Sequence, residues 1–175
     1  MTLKPYKTAW LVLLLAGLAG IGATRASASE DKEPLLWPVP EDGSLVLAPL
    51  AGYSIGNQMD GPLVGMRAMF VFKYFMGGVN GQAIFVDSGA IYLFGLDLHG
   101  RFGPFYGGIG FAGHFLPGST GSPTPSMNLQ TGIHFPTFFP SAFVEVAYRV
   151  NIIFHAGRQE AYHALMLGLL FESGT

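Results

Sequence analysis

The stretch that decides the fold runs from Ile91 to Phe115, IYLFGLDLHGRFGPFYGGIGFAGHF. In its first half Tyr92, Phe94, Leu96 and Leu98 occupy even positions, while Asp97, His99 and Arg101 occupy odd ones. Successive side chains of a strand point to opposite faces, so the ionisable groups share one face and the large apolar groups the other. The residues Arg101-Phe102-Gly103-Pro104 form a tight turn signal. Beyond it the alternation resumes, with Phe105, Ile109, Phe111 and Phe115 opposite Tyr106, Gly108, Gly110, Ala112 and His114. The stretch reads as a β-hairpin with one apolar and one polar face.

Working outward, the same period of two recurs on both sides. From Ser44 to Ile55 the large residues Leu45, Leu47, Tyr53 and Ile55 share a parity. From Leu63 to Met76 the even positions are all apolar, and Arg67 and Lys73 fall on odd ones. A short candidate covers Gln82 to Val86. Later candidates run from Met127 to Phe135, from Val144 to Ile152 with Glu145, Arg149 and Asn151 opposite the valines, and from Ala161 to Phe171. With the two strands of the opening hairpin this makes eight, several of about 10 residues, the length with which a tilted strand crosses a hydrocarbon core. An open sheet in lipid would leave edge N–H and C=O groups unpaired, so eight such strands are expected to close. The fold class read here is all-β: an eight-stranded antiparallel up-and-down transmembrane β-barrel over residues 44–172. A soluble barrel or sandwich is the competing reading, but its outer face would have to be polar.

Composition points the same way. Of 175 residues 50% are hydrophobic and only 11% are charged, less than half the usual ~25% of soluble domains. No uninterrupted apolar stretch after Gly43 reaches 18 residues, which argues against a helical bundle in the membrane. The net charge is −2 with no basic cluster, so nucleic acid is not expected as a partner. There is no Cys, which excludes disulfides, thiolate metal sites and a lipidated Cys at the mature N-terminus. At the start of the chain Lys4 and Lys7 precede an apolar run from Ala9 to Gly22 that ends at Ala26-Ser27-Ala28. That order of charge, apolar core and small-x-small junction marks residues 1–28 as a cleaved signal peptide. Residues 29–43, rich in Pro and charge, read as a flexible periplasmic segment in which Trp37 is a candidate interfacial anchor.

The run Leu96-Asp97-Leu98-His99-Gly100-Arg101-Phe102-Gly103-Pro104-Phe105-Tyr106-Gly107-Gly108 resembles the strand, periplasmic turn and strand of the small outer-membrane β-barrel proteins of Gram-negative bacteria. The resemblance covers essentially the whole mature chain. It implies residence in the cell outer membrane after secretion through the periplasm, contact with outer-membrane lipid and lipopolysaccharide, and insertion by the barrel-assembly machinery. Members usually end in an aromatic residue that this machinery recognises. Phe171 is the equivalent here, although Glu172-Ser173-Gly174-Thr175 follow it. The Gly-, Ser-, Thr- and Pro-rich gap from Pro117 to Ser126 is the longest and is expected to be an outer loop that presents a surface to a partner.

An eight-stranded barrel is just wide enough to be filled by its own side chains. The inward parity of the strands carries Arg67, Lys73, Asp97, His99, Arg101, Glu145 and Arg149, together with His114 and His134. The expectation is an internal ionic network in which Asp97 and Glu145 neutralise the Arg and Lys groups, because an unpaired charge away from water is costly. A narrow ion path is the alternative. The histidines have neither i, i+4 helical spacing nor a His-Glu-x-x-His arrangement, so no metal site and no cofactor are expected. Glu145 through His155 loosely resembles the outer-membrane lipid A 3-O-deacylases, whose membrane-facing set places Ser two residues after the His. Gly157 stands at that position, so a hydrolase would lack its nucleophile. The expected function is therefore non-enzymatic: an envelope-structural or loop-mediated binding role.

Overall fold

The computed structural model describes residues 39–56, 58–116, 121–139, 141–155 and 158–173. The signal-peptide reading of residues 1–28, Trp37 and most of the leader lie outside them. Eight antiparallel strands follow one another: β1 (Leu45–Ile55), β2 (Gly61–Val71), β3 (Phe75–Val86), β4 (Gly89–Phe102), β5 (Phe105–Phe115), β6 (Thr124–Pro136), β7 (Ala142–His155) and β8 (Arg158–Ser173). Each pairs with the next, and β1 pairs with β8 from Leu45↔Ser173 to Ile55↔His163, so the sheet is a closed barrel without an edge. Both ends of the described chain lie at one end of the barrel, here the near end, together with the β2–β3, β4–β5 and β6–β7 turns. The opposite, far end carries the other four connections.

The alternation that marks the strands also sets their faces. Phe94, Leu96, Phe111 and Phe70 are exposed on the outer surface, whereas Arg67, Asp97, His99, Glu145 and Arg149 are buried inside. The polarity of a water-soluble protein is thus inverted. The interior itself is divided. A contiguous cluster of apolar side chains that includes Val46, Leu50, Met69, Ala164 and Met166 lines the β8-β1-β2 wall. The wall from β3 to β7 carries most of the buried polar groups, among them Asn80, Asp97, Gln130 and Glu145.

Several strand boundaries differ from the sequence reading. The expected strand from Leu63 to Met76 ends at Val71, and β3 begins at Phe75 rather than Gln82. Phe72 and Phe75 exchange backbone hydrogen bonds of 2.7 and 3.2 Å around a two-residue turn, Lys73-Tyr74. An aromatic run continues the apolar alternation through this turn with no Gly or Pro to mark it, so periodicity alone runs straight over it. The turn reverses the parity, and Met76, expected outside, is buried inside. The gap expected at Pro117–Ser126 is shorter, because β6 starts at Thr124; residues 117–120 lie outside the described ones. The turn at Gly103-Pro104 is as expected: Phe102 pairs with Phe105, and Gly103 has φ 58°, the left-handed value that the first central residue of a primed hairpin turn requires.

At the near end the chain before β1 folds over the mouth. Pro40 is buried, and its carbonyl accepts a 2.8 Å hydrogen bond from Arg101. Gly43 N–H donates to Val71 O at 2.8 Å, and the backbone N–H of Glu41 donates to the Glu172 carboxylate.

Candidate functional site

Within the barrel one connected set of side chains reaches from β2 round to β7. Arg67 Nη1 of β2 lies 2.8 Å from Glu145 Oε1 of β7, with both groups fully buried. These strands face each other across the lumen, with β1 and β8 between them on the short side. The Tyr106 hydroxyl donates to the same Glu145 oxygen and accepts from Gln130 Nε2 at 2.7 Å. Gln130 Oε1 in turn accepts from Arg149 Nε at 2.8 Å and from Arg149 Nη2 at 2.6 Å. Arg149 Nη2 also lies 2.9 Å from Asp97 Oδ2, and Asp97 takes further hydrogen bonds from Asn80 at 2.7 Å and Asn128 at 3.2 Å. Two cations are thus held against two carboxylates by four neutral polar residues.

The strands place these groups because every member sits on an inward position, and the pleat then sends each into the lumen. Space is made by glycine. A Cβ on Gly110 would overlap the Asp97 carboxylate and lie 2.5 Å from Asn128 Nδ2, so only a residue without a side chain lets these two meet.

The sequence-predicted residues divide into three groups. Arg67, Asp97, Glu145 and Arg149 come together in the network. His99 is buried beside it with its ring 5.0 Å from that of Tyr106; His134 stacks on Tyr106, also at 5.0 Å, and its Nε2 is 4.0 Å from Glu145. His114 lies apart and meets the Tyr162 hydroxyl at 2.9 Å. Lys73 and Arg101 are not in the lumen network. Lys73 is exposed in the β2–β3 turn, with its ammonium 5.1 Å from the centre of the Tyr74 ring, because the turn falls where a continued strand was expected. Arg101 stays at the near mouth, where it binds the carbonyls of Phe72 and Pro40.

Sequence reasoning passed over Tyr106, Asn80, Asn128 and Gln130. Their signal was present, since a neutral polar residue on the parity of buried charges is the natural partner for the lone pairs and N–H groups those charges leave over. Asn80 was hidden by the misplaced start of β3.

The acid of a deacylase-like set would have to face lipid. Glu145 points into the barrel and is engaged by Arg67 and Tyr106, so it does not join His155, which ends β7. Among the described residues no group of three or more His, Asp or Glu side chains is arranged to hold a metal ion.

No protein-family model matches the chain, and no curated protein matches it. Solved structures do. The crystal structure of Neisserial surface protein A superposes with a TM-score of 0.56 over 74% of this chain and 97% of its own, at 16% identity. The N-terminal β-barrel domain of Pseudomonas aeruginosa OprF does so with 0.52 over 74% of this chain and 98% of its own, at 15% identity. The Yersinia pestis outer membrane protein Ail, determined in a phospholipid nanodisc, is similar at 12% identity and a TM-score of 0.45. The first two likenesses speak to architecture, and with the closed register and the inverted polarity they give the fold its type: the chain is a small eight-stranded antiparallel β-barrel of the outer-membrane kind.

Proposed function

We propose that the protein is an integral outer-membrane component whose role is structural and non-enzymatic, contributing to envelope integrity rather than to catalysis or conduction. The observation that carries this reading is the inversion of polarity. Leu96, Phe94, Phe111 and Phe102 stand 60–86% exposed on the outside, while Arg67, Arg149 and Glu145 are fully buried within. An apolar surface of that extent suits lipid and not water.

The filled lumen supports a structural role over a transport role. The Arg67–Glu145 and Arg149–Asp97 pairs cross the space through which a solute would pass, and apolar side chains such as Leu63, Ile84 and Ile153 crowd the far end. The β3–β4 connection supports it too: the two strands are joined through Asp87 and Ser88 alone, which offers little loop for a partner. In this reading the partners are membrane lipid and lipopolysaccharide around the barrel, and the assembly machinery during insertion.

The test is fractionation of the expressing bacterium, followed by electrophoresis of each fraction with and without boiling. A band in the outer-membrane fraction that changes mobility on heating is expected. A soluble periplasmic band without a heat shift would overturn the membrane assignment. Step-like currents in planar bilayers would overturn the structural role.

A further inference from the structure

We infer that Tyr148 and His163, on the outer surface of the β7–β8 wall, form a binding point for a phosphate oxygen of a membrane lipid. The inference rests on the outer-membrane reading above and adds a ligand to it.

Among the described strand residues, the outward positions hold no Asp, Glu, Lys or Arg and a single His, which is His163. Imidazole on a lipid-facing wall is out of character with its neighbours and is not there by drift of the pattern, since it is built into a pair. The Tyr148 hydroxyl lies 2.6 Å from His163 Nδ1, and the two rings stack with centroids 5.9 Å apart at 22°. Both side chains are exposed.

Register fixes their height. His163 is opposite Ile55, the last residue of β1, and so lies at the far rim of that strand. Towards the start of β8 come Arg158, Gln159 and Glu160; on the other side Leu165, Leu167, Leu169 and Phe171 continue the outward face. Between the pair and the hairpin end the outward face holds Ala161 and Gln159 of β8 beside Val150, Ile152 and Phe154 of β7, so the pair lies just inside the far rim, within reach of lipid headgroups.

The chemistry follows from the hydrogen bond. In the tautomer protonated on Nε2 the phenol donates to Nδ1, and the pair then presents one N–H donor with its orientation set by Tyr148. At the headgroup boundary the acceptors on offer are lipid oxygens, and an anionic phosphate oxygen makes the strongest hydrogen bond among them. A donor held in place before the lipid arrives loses less conformational freedom on binding.

The test uses the mature chain with 15N-labelled histidine, refolded into phosphatidylglycerol bilayers, with 15N–31P dipolar recoupling by solid-state NMR. The His163 signals are assigned by their disappearance in His163→Gln. The expected result is dephasing of His163 Nε2 by lipid phosphorus, largely lost in Tyr148→Phe while the heat-dependent mobility shift is retained. No dephasing at His163 in the folded wild-type protein, or equal dephasing in Tyr148→Phe, overturns the inference and leaves the pair as an interfacial packing contact. Failure of the chain to enter bilayers at all would show instead as loss of the heat shift and of co-flotation with vesicles, and would overturn the membrane reading along with it.

Discussion

A carboxylate with no exposed surface, such as Glu145, is tolerable only in company. Arg67 supplies the opposite charge at 2.8 Å and Tyr106 a hydroxyl donor, and removing either leaves a buried ion under-satisfied. Replacing Glu145 by Gln keeps the shape and removes the charge, so Arg67 is left uncompensated; a loss of roughly 3–5 kcal/mol is expected, measured as a lower urea midpoint for the barrel refolded in vesicles. The double change Arg67→Met with Glu145→Leu takes out both charges, and its loss is expected to be smaller than that of Glu145→Gln alone. A double variant less stable than the single one would mean that the pair contributes net stability to the barrel. Gly110 permits a second contact of the same kind. Gly110→Val would drive a branched side chain into Asp97 and Asn128; since Asp97 is the carboxylate that pairs with Arg149, a loss of several kcal/mol is expected, comparable to that of Glu145→Gln.

At the scale of the strand, the alternation was a sufficient guide on both sides of the β4–β5 turn. Gly103-Pro104 ended β4 where the sequence said it would, and the split of Asp97 and His99 from Leu96 and Leu98 told which face was which. It failed at Phe72–Phe75, because the two-residue turn there is made of Lys73 and Tyr74, which carry no turn signal of their own. The cost of that one error was local in sequence but changed the site: Lys73 left the lumen, and Asn80 entered it. Lys73→Glu accordingly tests the corrected register. On an exposed turn its effect on stability is expected to stay within about 0.5 kcal/mol, whereas a charge reversal inside the barrel would unfold it. The pairing of Arg67 with Glu145 was not legible in the sequence, since it depends on which strands face each other across the closed barrel and not on spacing along the chain. The end of β8 adds a last point at this scale. Phe171 is outward and opposite Leu47, and β8 continues to Ser173, with Glu172 turned to hold the backbone of Glu41. Glu172 and Ser173 are thus part of the seam. If Phe171 is the assembly signal, Phe171→Ala should slow appearance of the heat-shifted form in cells while leaving the urea midpoint of refolded protein within about 1 kcal/mol; equal assembly rates would assign the signal elsewhere.

For the molecule as a whole, the decisive property is the direction in which it is amphipathic, and depth-resolved fluorescence can read that direction. In a mature chain whose Trp37 is replaced by Phe, a single Trp can be placed on the outer wall of β4 at either of two heights. Leu96 lies within the strand and is 63% exposed; Phe102 ends it at the near rim and is 86% exposed. In a bilayer about 30 Å thick in its hydrocarbon region, Leu96→Trp is expected to be quenched most by lipids brominated deep in their acyl chains. Phe102→Trp should respond most to bromine near the headgroups, where aromatic girdles of such barrels lie. Both should resist acrylamide once the protein is folded in vesicles, Leu96→Trp more strongly. A soluble barrel with the same strands would give the opposite result, with both sites open to acrylamide and neither to bromolipid. The two heights matter together, because a chain merely adsorbed to the surface would be quenched by shallow bromine alone. Only insertion across the membrane orders Leu96 below Phe102.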